Sequence, residues 1–227
     1  MEGSNFLVVA PHPDDEILGS GGTLLKLNKL NKNIFIVILT NASIGAPELF
    51  TKAGTAKNRE EAQVIHSLIG VQETIFLDFP APRLSTYPGY KISNALSDII
   101  YKNSIDTVFI PHFGDIHKDH QVAFEASLVA CRPVNDNPVN SIYAYETISE
   151  TEWSAPLQQF SFLPNIYIDI HEFIEQKIEL FLKYRSEVKQ FPHPRSEQGI
   201  RNLAAYRGQA MLMDYAETFM LIRKTYY

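Results

Sequence analysis

The chain has 227 residues, 45% hydrophobic and 20% charged, with a formal net charge of −6; this suits one α/β domain spanning 1–227 and excludes a disordered chain. The acidic balance and the lack of any Lys/Arg run argue against a long nucleic acid as partner. A single cysteine, Cys131, excludes an intrachain disulfide and a thiolate metal cluster, while the missing basic leader and the lack of any apolar stretch near ~20 residues set the expectation of a cytoplasmic protein with no integral membrane segment.

Phe6–Ala10 is apolar and runs into Pro11, His12 and Pro13, which predicts a buried strand stopped at its carboxyl end. Asp14, Asp15 and Glu16 then suit the first turn of a helix with Ile17, Leu18, Leu24, Leu25 and Leu27 on its inner side. Gly19, Gly21 and Gly22 lower helix propensity there and predict a close backbone approach. Asn33–Thr40 reads as the clearest buried strand, 41–54 as a loop, Lys57–Ile69 as a helix closed by Gly70, and Thr74–Phe79 as a strand. Pro80–Tyr90 holds three prolines and reads as a long loop. Ile92–Tyr101 predicts a helix, Thr107–Pro111 a strand ending at His112, His120–Cys131 a helix and Ser141–Glu146 a strand.

Strands and helices therefore alternate through Glu146, which implies a Rossmann-like, mostly parallel sheet flanked by helices. The remainder reads as a C-terminal α/β elaboration: a strand at Asn165–Ile170, helices over Glu172–Val188 and Ser196–Met213, and a closing strand at Thr218–Arg223. The C-terminal aromatics Tyr206, Tyr215, Phe219, Tyr226 and Tyr227 fit the core or an interface in a homo-oligomer.

Ligands of open α/β sheets bind outside the carboxyl ends of the strands. His12, Asp14 and Asp15 follow the first strand there, and His112, Asp115, His117, Asp119 and His120 follow the Thr107–Pro111 strand. Imidazole and carboxylate donors suit Zn²⁺, and a catalytic site keeps three protein ligands. His12, Asp15 and His120 form the natural trio, leaving Asp14 as a base and His117 as an oxyanion donor whose tautomer Asp119 or Asp115 fixes. Glu16 reads as a helix-start charge, His112 as structural, and His66 and His171 as surface or packing residues. His193, between two prolines, is a weaker candidate for reaching substrate. The pattern Gly19-Ser20-Gly21-Gly22 lacks the dinucleotide spacing and follows negative charge, so nucleotide binding is rejected.

The run His12-Pro13-Asp14-Asp15-Glu16 with Leu18-Gly19 and Gly21-Gly22 resembles the signature of the LmbE-like, or PIG-L-type, N-acetylglucosaminyl deacetylases. His117-Lys118-Asp119-His120 resembles that family's second block, with weaker agreement at Arg59-Glu60-Glu61-Ala62, at Lys177, Tyr184 and Ser186, and at Tyr215–Phe219. The resemblance implies zinc on His12, Asp15 and His120, Asp14 as general base, His117 as stabiliser of the tetrahedral intermediate with Asp119 beside it, and Arg59 as a substrate contact. The implied reaction is hydrolysis of an N-acetyl group from a small amino-sugar conjugate. Another N-acyl amide as substrate, or a non-catalytic metal- or sugar-binding module, stays open. The run Thr40–Gly45 and the segment Pro80–Tyr90 depart from the family pattern and are expected near the sugar pocket.

Overall fold

The structure, a computed structural model, describes residues 2–134 and 136–226. Its centre is a seven-stranded sheet in the order β3-β2-β1-β4-β5-β7-β6. The strands are β1 (Asn5–Ala10), β2 (Asn33–Asn41), β3 (Glu73–Pro80), β4 (Thr107–Pro111), β5 (Ser141–Tyr145), β6 (Ile166–Asp169) and β7 (Ala216–Lys224). The first five pair in parallel, whereas β7 runs antiparallel between β5 and β6. The expected mostly parallel sheet and its C-terminal elaboration are thus observed, and the last strand is inserted rather than added at the edge.

Side chains on successive strand residues point to opposite faces, and both faces of this sheet are covered. Phe6, Val8 and Ala10 of β1, with Ile34, Ile36 and Ile38 of β2, enter one apolar cluster with α1 (Asp15–Lys29), α3 (Lys52–Ile69), α6 (Ile174–Phe181) and α7 (Glu197–Gln209). Leu7 and Val9, with Phe35, Val37 and Leu39, enter the other with α4 (Gly89–Lys102) and α5 (Lys118–Ala130). Continuous apolar strands follow from burial on both sides.

Several boundaries differ from the expected ones, most of them by two to five residues. The 41–54 loop contains a short helix, α2 (Ala42–Gly45), and α3 begins at Lys52, because the Thr51 hydroxyl accepts from the Gly54 amide at 3.0 Å and caps it. Gly70 closes α3 at φ 88°, the left-handed conformation expected of a glycine cap. The helix expected over Glu172–Val188 is confined to Ile174–Phe181, after which turns carry Tyr184 into the interior.

The glycines of α1 make room for two neighbours. A Cβ at Gly19 would overlap the Tyr145 ring, whose hydroxyl donates to the Val9 carbonyl at 2.8 Å. At Gly22 it would press on Ile170. The buried pair Lys177–Glu217 (2.6 Å) lies against this same stretch: Lys177 Nζ donates to the Leu18 carbonyl at 2.8 Å, and Glu217 accepts from the amides of Gly22 and Thr23 at 2.8 and 2.7 Å. The charges are buried, but hydrogen bonds from the helix backbone and to it satisfy them.

Gly19→Ala is therefore expected to lose about 1–3 kcal/mol of stability in urea unfolding through overpacking. Gly89→Ala, at a helix start with no atom near the new methyl group, should be neutral or slightly stabilising. Equal effects of the two substitutions would contradict this account of the α1 glycines.

Candidate functional site

The strand order places β1 beside β4, with the sheet growing in opposite directions from that pair. This is the topological switch point, where the loops after adjacent strands separate and leave a crevice. The His12–Asp15 turn follows β1, and the residues from His112 to His120 follow β4. Residues more than a hundred positions apart meet there.

His12, Asp15 and His120 offer one ligand atom each, all within 4.8 Å of one another. Asp15 and His120 are fully buried, while His12 is partly open to the cleft. Asp15 Oδ2 accepts the His12 amide at 2.9 Å and lies 3.3 Å from His12 Nδ1 and 3.2 Å from His120 Nε2. His120 Nδ1 is 2.8 Å from Asp115 Oδ2, and His12 Nε2 is 3.1 Å from Asp119 Oδ2. A carboxylate only accepts, so those nitrogens carry the protons and the opposite nitrogen of each ring presents a lone pair towards Asp15. Asp15 Oδ1 and His120 Nε2 are buried without a hydrogen-bond partner, a costly state that a bound cation relieves. A second grouping, His12, His117 and Asp119, is equally close. There, however, Asp119 is spent, Oδ1 on the Leu84 amide at 3.0 Å and Oδ2 on His12. The donor set and the orphaned atoms both fit a divalent ion on His12, Asp15 and His120.

The tautomer of His117 is not set by a carboxylate, contrary to expectation. Its Nδ1 accepts the Asp119 amide at 3.1 Å, which leaves the proton on Nε2. The Asp119 carboxylate orients His12 and the Asp115 carboxylate orients His120, because Asp119 lies in the first turn of α5 and Asp115 in the loop before it, which aims them at different rings. Burial, together with the nearby His12 and His120 rings, lowers the pKa of His117 to about 4. Its ring is neutral at pH 7 and can donate from Nε2.

Asp14 lies at the helix start with φ 114°, a conformation rare for a residue with a Cβ, and such strain costs on the order of 1–3 kcal/mol. Four hydrogen bonds hold it. Its carbonyl accepts the amides of Ile17 and Leu18, its amide donates to Glu16 Oε2 at 3.1 Å, and its Oδ2 accepts Arg195 Nη1 at 2.9 Å. Burial pushes the Asp14 carboxyl well above the usual range, with Arg195 opposing and Asp15 reinforcing the shift.

Glu16 is not the solvated helix-start charge its position suggests. It is fully buried, and its Oε1 accepts the Tyr184 hydroxyl at 2.5 Å and faces His66 Nε2 at 3.1 Å. His66 is likewise interior, with Nδ1 2.9 Å from Thr74 Oγ1. His112 is buried against the Phe160 carbonyl at 3.0 Å, the structural role expected of it. His171 is exposed beside Asp169.

A cavity of about 520 Å³ is lined by His12, Asp14 and His117, and by Arg59, Glu150 and Arg195 among others. Arg59 thus reaches the same cleft, although Asp78 holds it at 2.7 Å. Thr40, Ala42, Ala81 and Pro82 also line it, as expected for the two segments that depart from the family pattern. His193 does not; its ring packs on Trp153 and accepts the Arg195 amide. Arg195 was not foreseen. Its guanidinium joins Asp14, Glu187 (3.2 Å), Glu150 (3.3 Å) and the Ser149 hydroxyl (2.7 Å). The one sequence signal was its place at the end of the Phe191–Pro194 break.

Known proteins resemble this chain in sequence and in fold. The family described as PIG-L: GlcNAc-PI de-N-acetylase matches residues 7–131. The uncharacterized deacetylase YaiS of Escherichia coli is 30% identical over 188 residues, covering 80% of this chain and 90% of the relative. The diacetylchitobiose deacetylase of Thermococcus kodakarensis is 26% identical over 222 residues, covering 93% and 80%. The solved N,N'-diacetylchitobiose deacetylase of Pyrococcus horikoshii superposes with a TM-score of 0.79 at 22% identity, covering 98% of this chain and 85% of that one. At that identity the superposition speaks for the fold.

Tyr184→Phe removes one of the hydrogen bonds that Glu16 accepts in the interior. A loss of about 1–3 kcal/mol is expected in denaturant unfolding, and an unchanged midpoint would show that the Tyr184 hydroxyl contributes nothing to holding Glu16.

Proposed function

We propose that this chain, which belongs to the PIG-L family and is a deacetylase, hydrolyses the N-acetyl group of an N-acetylglucosamine-type conjugate with zinc bound by His12, Asp15 and His120. The observation that carries this reading is the convergence, in one cleft, of a buried carboxyl at Asp14, a neutral ring at His117 and a trio with unpartnered Asp15 Oδ1 and His120 Nε2. The family description and the named activity of the Thermococcus relative support the sugar class.

A divalent ion in a His/Asp/His site supplies Lewis-acid polarisation and a more acidic water. The chain's own residues do the rest. Asp14 is the general base: its raised pKa makes it a stronger base than an ordinary carboxylate. It accepts a proton from the attacking water and returns it to the leaving nitrogen as the C–N bond breaks, so acetate and a free amine are formed. His117 donates from Nε2 to the developing oxyanion, the tautomer that its bond to the Asp119 amide enforces. Asp119 and Asp115 keep the two ligand histidines in register. Arg195 holds Asp14 on the cleft side while Glu16 holds its amide from within.

Two substitutions test the roles. Asp14→Asn should retain zinc by elemental analysis while kcat falls by about 10²–10⁴-fold, the usual contribution of a general base; near-normal turnover would remove Asp14 from that role. His120→Ala should lose the metal, and retention at one ion per chain would refute the ligand set. The reading as a whole is tested by fluorescent detection of new amine from N-acetylglucosamine conjugates with the zinc-loaded protein. Bound zinc with no amine from any of them would overturn it.

A further inference from the structure

The lining of the cleft is of two kinds. Its charged side chains besides the histidines are Asp14, Glu150, Glu187, Arg59 and Arg195, and among the residues lining the cleft the two arginines are the cations other than histidine. Both are already engaged. Arg195 meets three carboxylates and a serine hydroxyl, and Arg59 meets Asp78 at 2.7 Å and the Leu77 carbonyl at 3.1 Å while stacking on Phe76. An anionic group entering here would compete with three lining carboxylates for Arg195 and with Asp78 for Arg59, whose hydrogen bonds both run from Nη2, and would face those carboxylates at close range, which is unfavourable in a partly desolvated cleft.

The lining also holds the apolar residues Ala42, Leu49, Phe50, Ala81 and Pro82, together with polar uncharged ones such as Thr40, Thr51 and Thr55. Leu49 and Phe50 are 73% and 45% exposed although they border the cleft, and Ile44 of α2 is 52% exposed. Isolated exposed apolar side chains are ordinary, but a contiguous set at the mouth of a reaction cleft marks a surface that a ligand covers. The cavity, about 520 Å³, is in the range of pockets that enclose a drug-sized ligand.

We propose that the exposed Leu49–Phe50 pair bordering the cleft is a subsite for the aglycone, and that the substrates are uncharged N-acetylglucosaminides bearing an apolar or aromatic aglycone rather than phosphate- or carboxylate-bearing conjugates. This rests on the deacetylase reading and narrows its substrate class. The sugar's acetamido group lies towards Asp14 and His117, its hydroxyls meet the charged side chains of the lining, and the aglycone leaves across Leu49 and Phe50. Burial of the aglycone favours binding in proportion to the apolar area removed from water.

The test compares kcat/KM for amine release by the zinc-loaded enzyme from methyl, phenyl and n-hexyl N-acetylglucosaminides of one anomeric configuration and from N-acetylglucosamine 1-phosphate. The hexyl or phenyl glycoside should exceed the methyl glycoside at least tenfold, the effect of roughly two buried methylenes, with the phosphate no better than methyl. The double substitution Leu49→Ala/Phe50→Ala should bring the hexyl-to-methyl ratio to within twofold of unity; both side chains are solvent-exposed, and an unchanged near-UV spectrum would verify folding. Parity of methyl and hexyl glycosides, preference for the phosphate, or a ratio that the double substitution does not move would overturn this inference while leaving the deacetylase reading standing. Failure of every glycoside and the phosphate would overturn both.

Discussion

The hydrogen bond from the Asp14 amide to the Glu16 carboxylate is the contact on which the site depends. Asp14 sits at φ 114°, where a side chain is disfavoured, and a helix start alone would not hold it there. Glu16 does so only because its own carboxylate is fixed by Tyr184, from the turns after α6, and by His66, which in turn reaches Thr74 on β3. A local backbone conformation is thus set by groups from four separate parts of the chain. Its consequence is geometric: Asp15 turns inward to His12 and His120, and Asp14 turns outward to the cleft.

The helix that carries these carboxylates is anchored by the same logic. Its glycines are the positions where Tyr145 and Ile170 press against it. The Lys177–Glu217 pair binds both a carbonyl and two amides of that stretch. Replacing one partner would leave a buried charge unpaired, a change that usually costs more than the intact pair contributes. The C-terminal elaboration is therefore more than an appendage: α6, the turns after it and β7 supply Lys177, Tyr184 and Glu217 to the helix behind the site, and Arg195 comes from the segment before α7 to the front.

Every ring near the proposed metal position is held by a group on its far nitrogen. Asp119 takes His12, Asp115 takes His120 and the Asp119 amide takes His117. One short segment ending at the start of α5 thereby sets three tautomers. This division of labour separates two rings that present lone pairs from one that presents a proton, which is what a site that must both hold a cation and donate to an oxyanion requires.

Much of this was legible in the amino-acid sequence, for a local reason. Burial on both faces writes itself as continuous apolar runs, so β1, β2 and β4 stand out, and the strand–helix alternation implies a sheet whose carboxyl edge collects the two His/Asp clusters. His12, Asp14, Asp15, His117 and His120 sit within a few residues of those strand ends, and the backbone direction alone carries them to the edge. What the tertiary structure decided has no local signature. Glu16 reads as a helix-start charge until a tyrosine 168 positions away is seen to bind it, and nothing local tells whether His66, read as a surface or packing residue, is interior. The Asp119 carboxylate serves His12 across 107 positions rather than its neighbour His117, which only the Asp119 amide reaches. Arg195 comes to Asp14 across 181 positions, and β7 enters between β5 and β6 in a pairing that periodicity cannot specify. Hydrogen bonds between distant residues depend on where the folded chain brings them, so the residue types of the site were written in the sequence, whereas the partners that orient them emerged only from the fold.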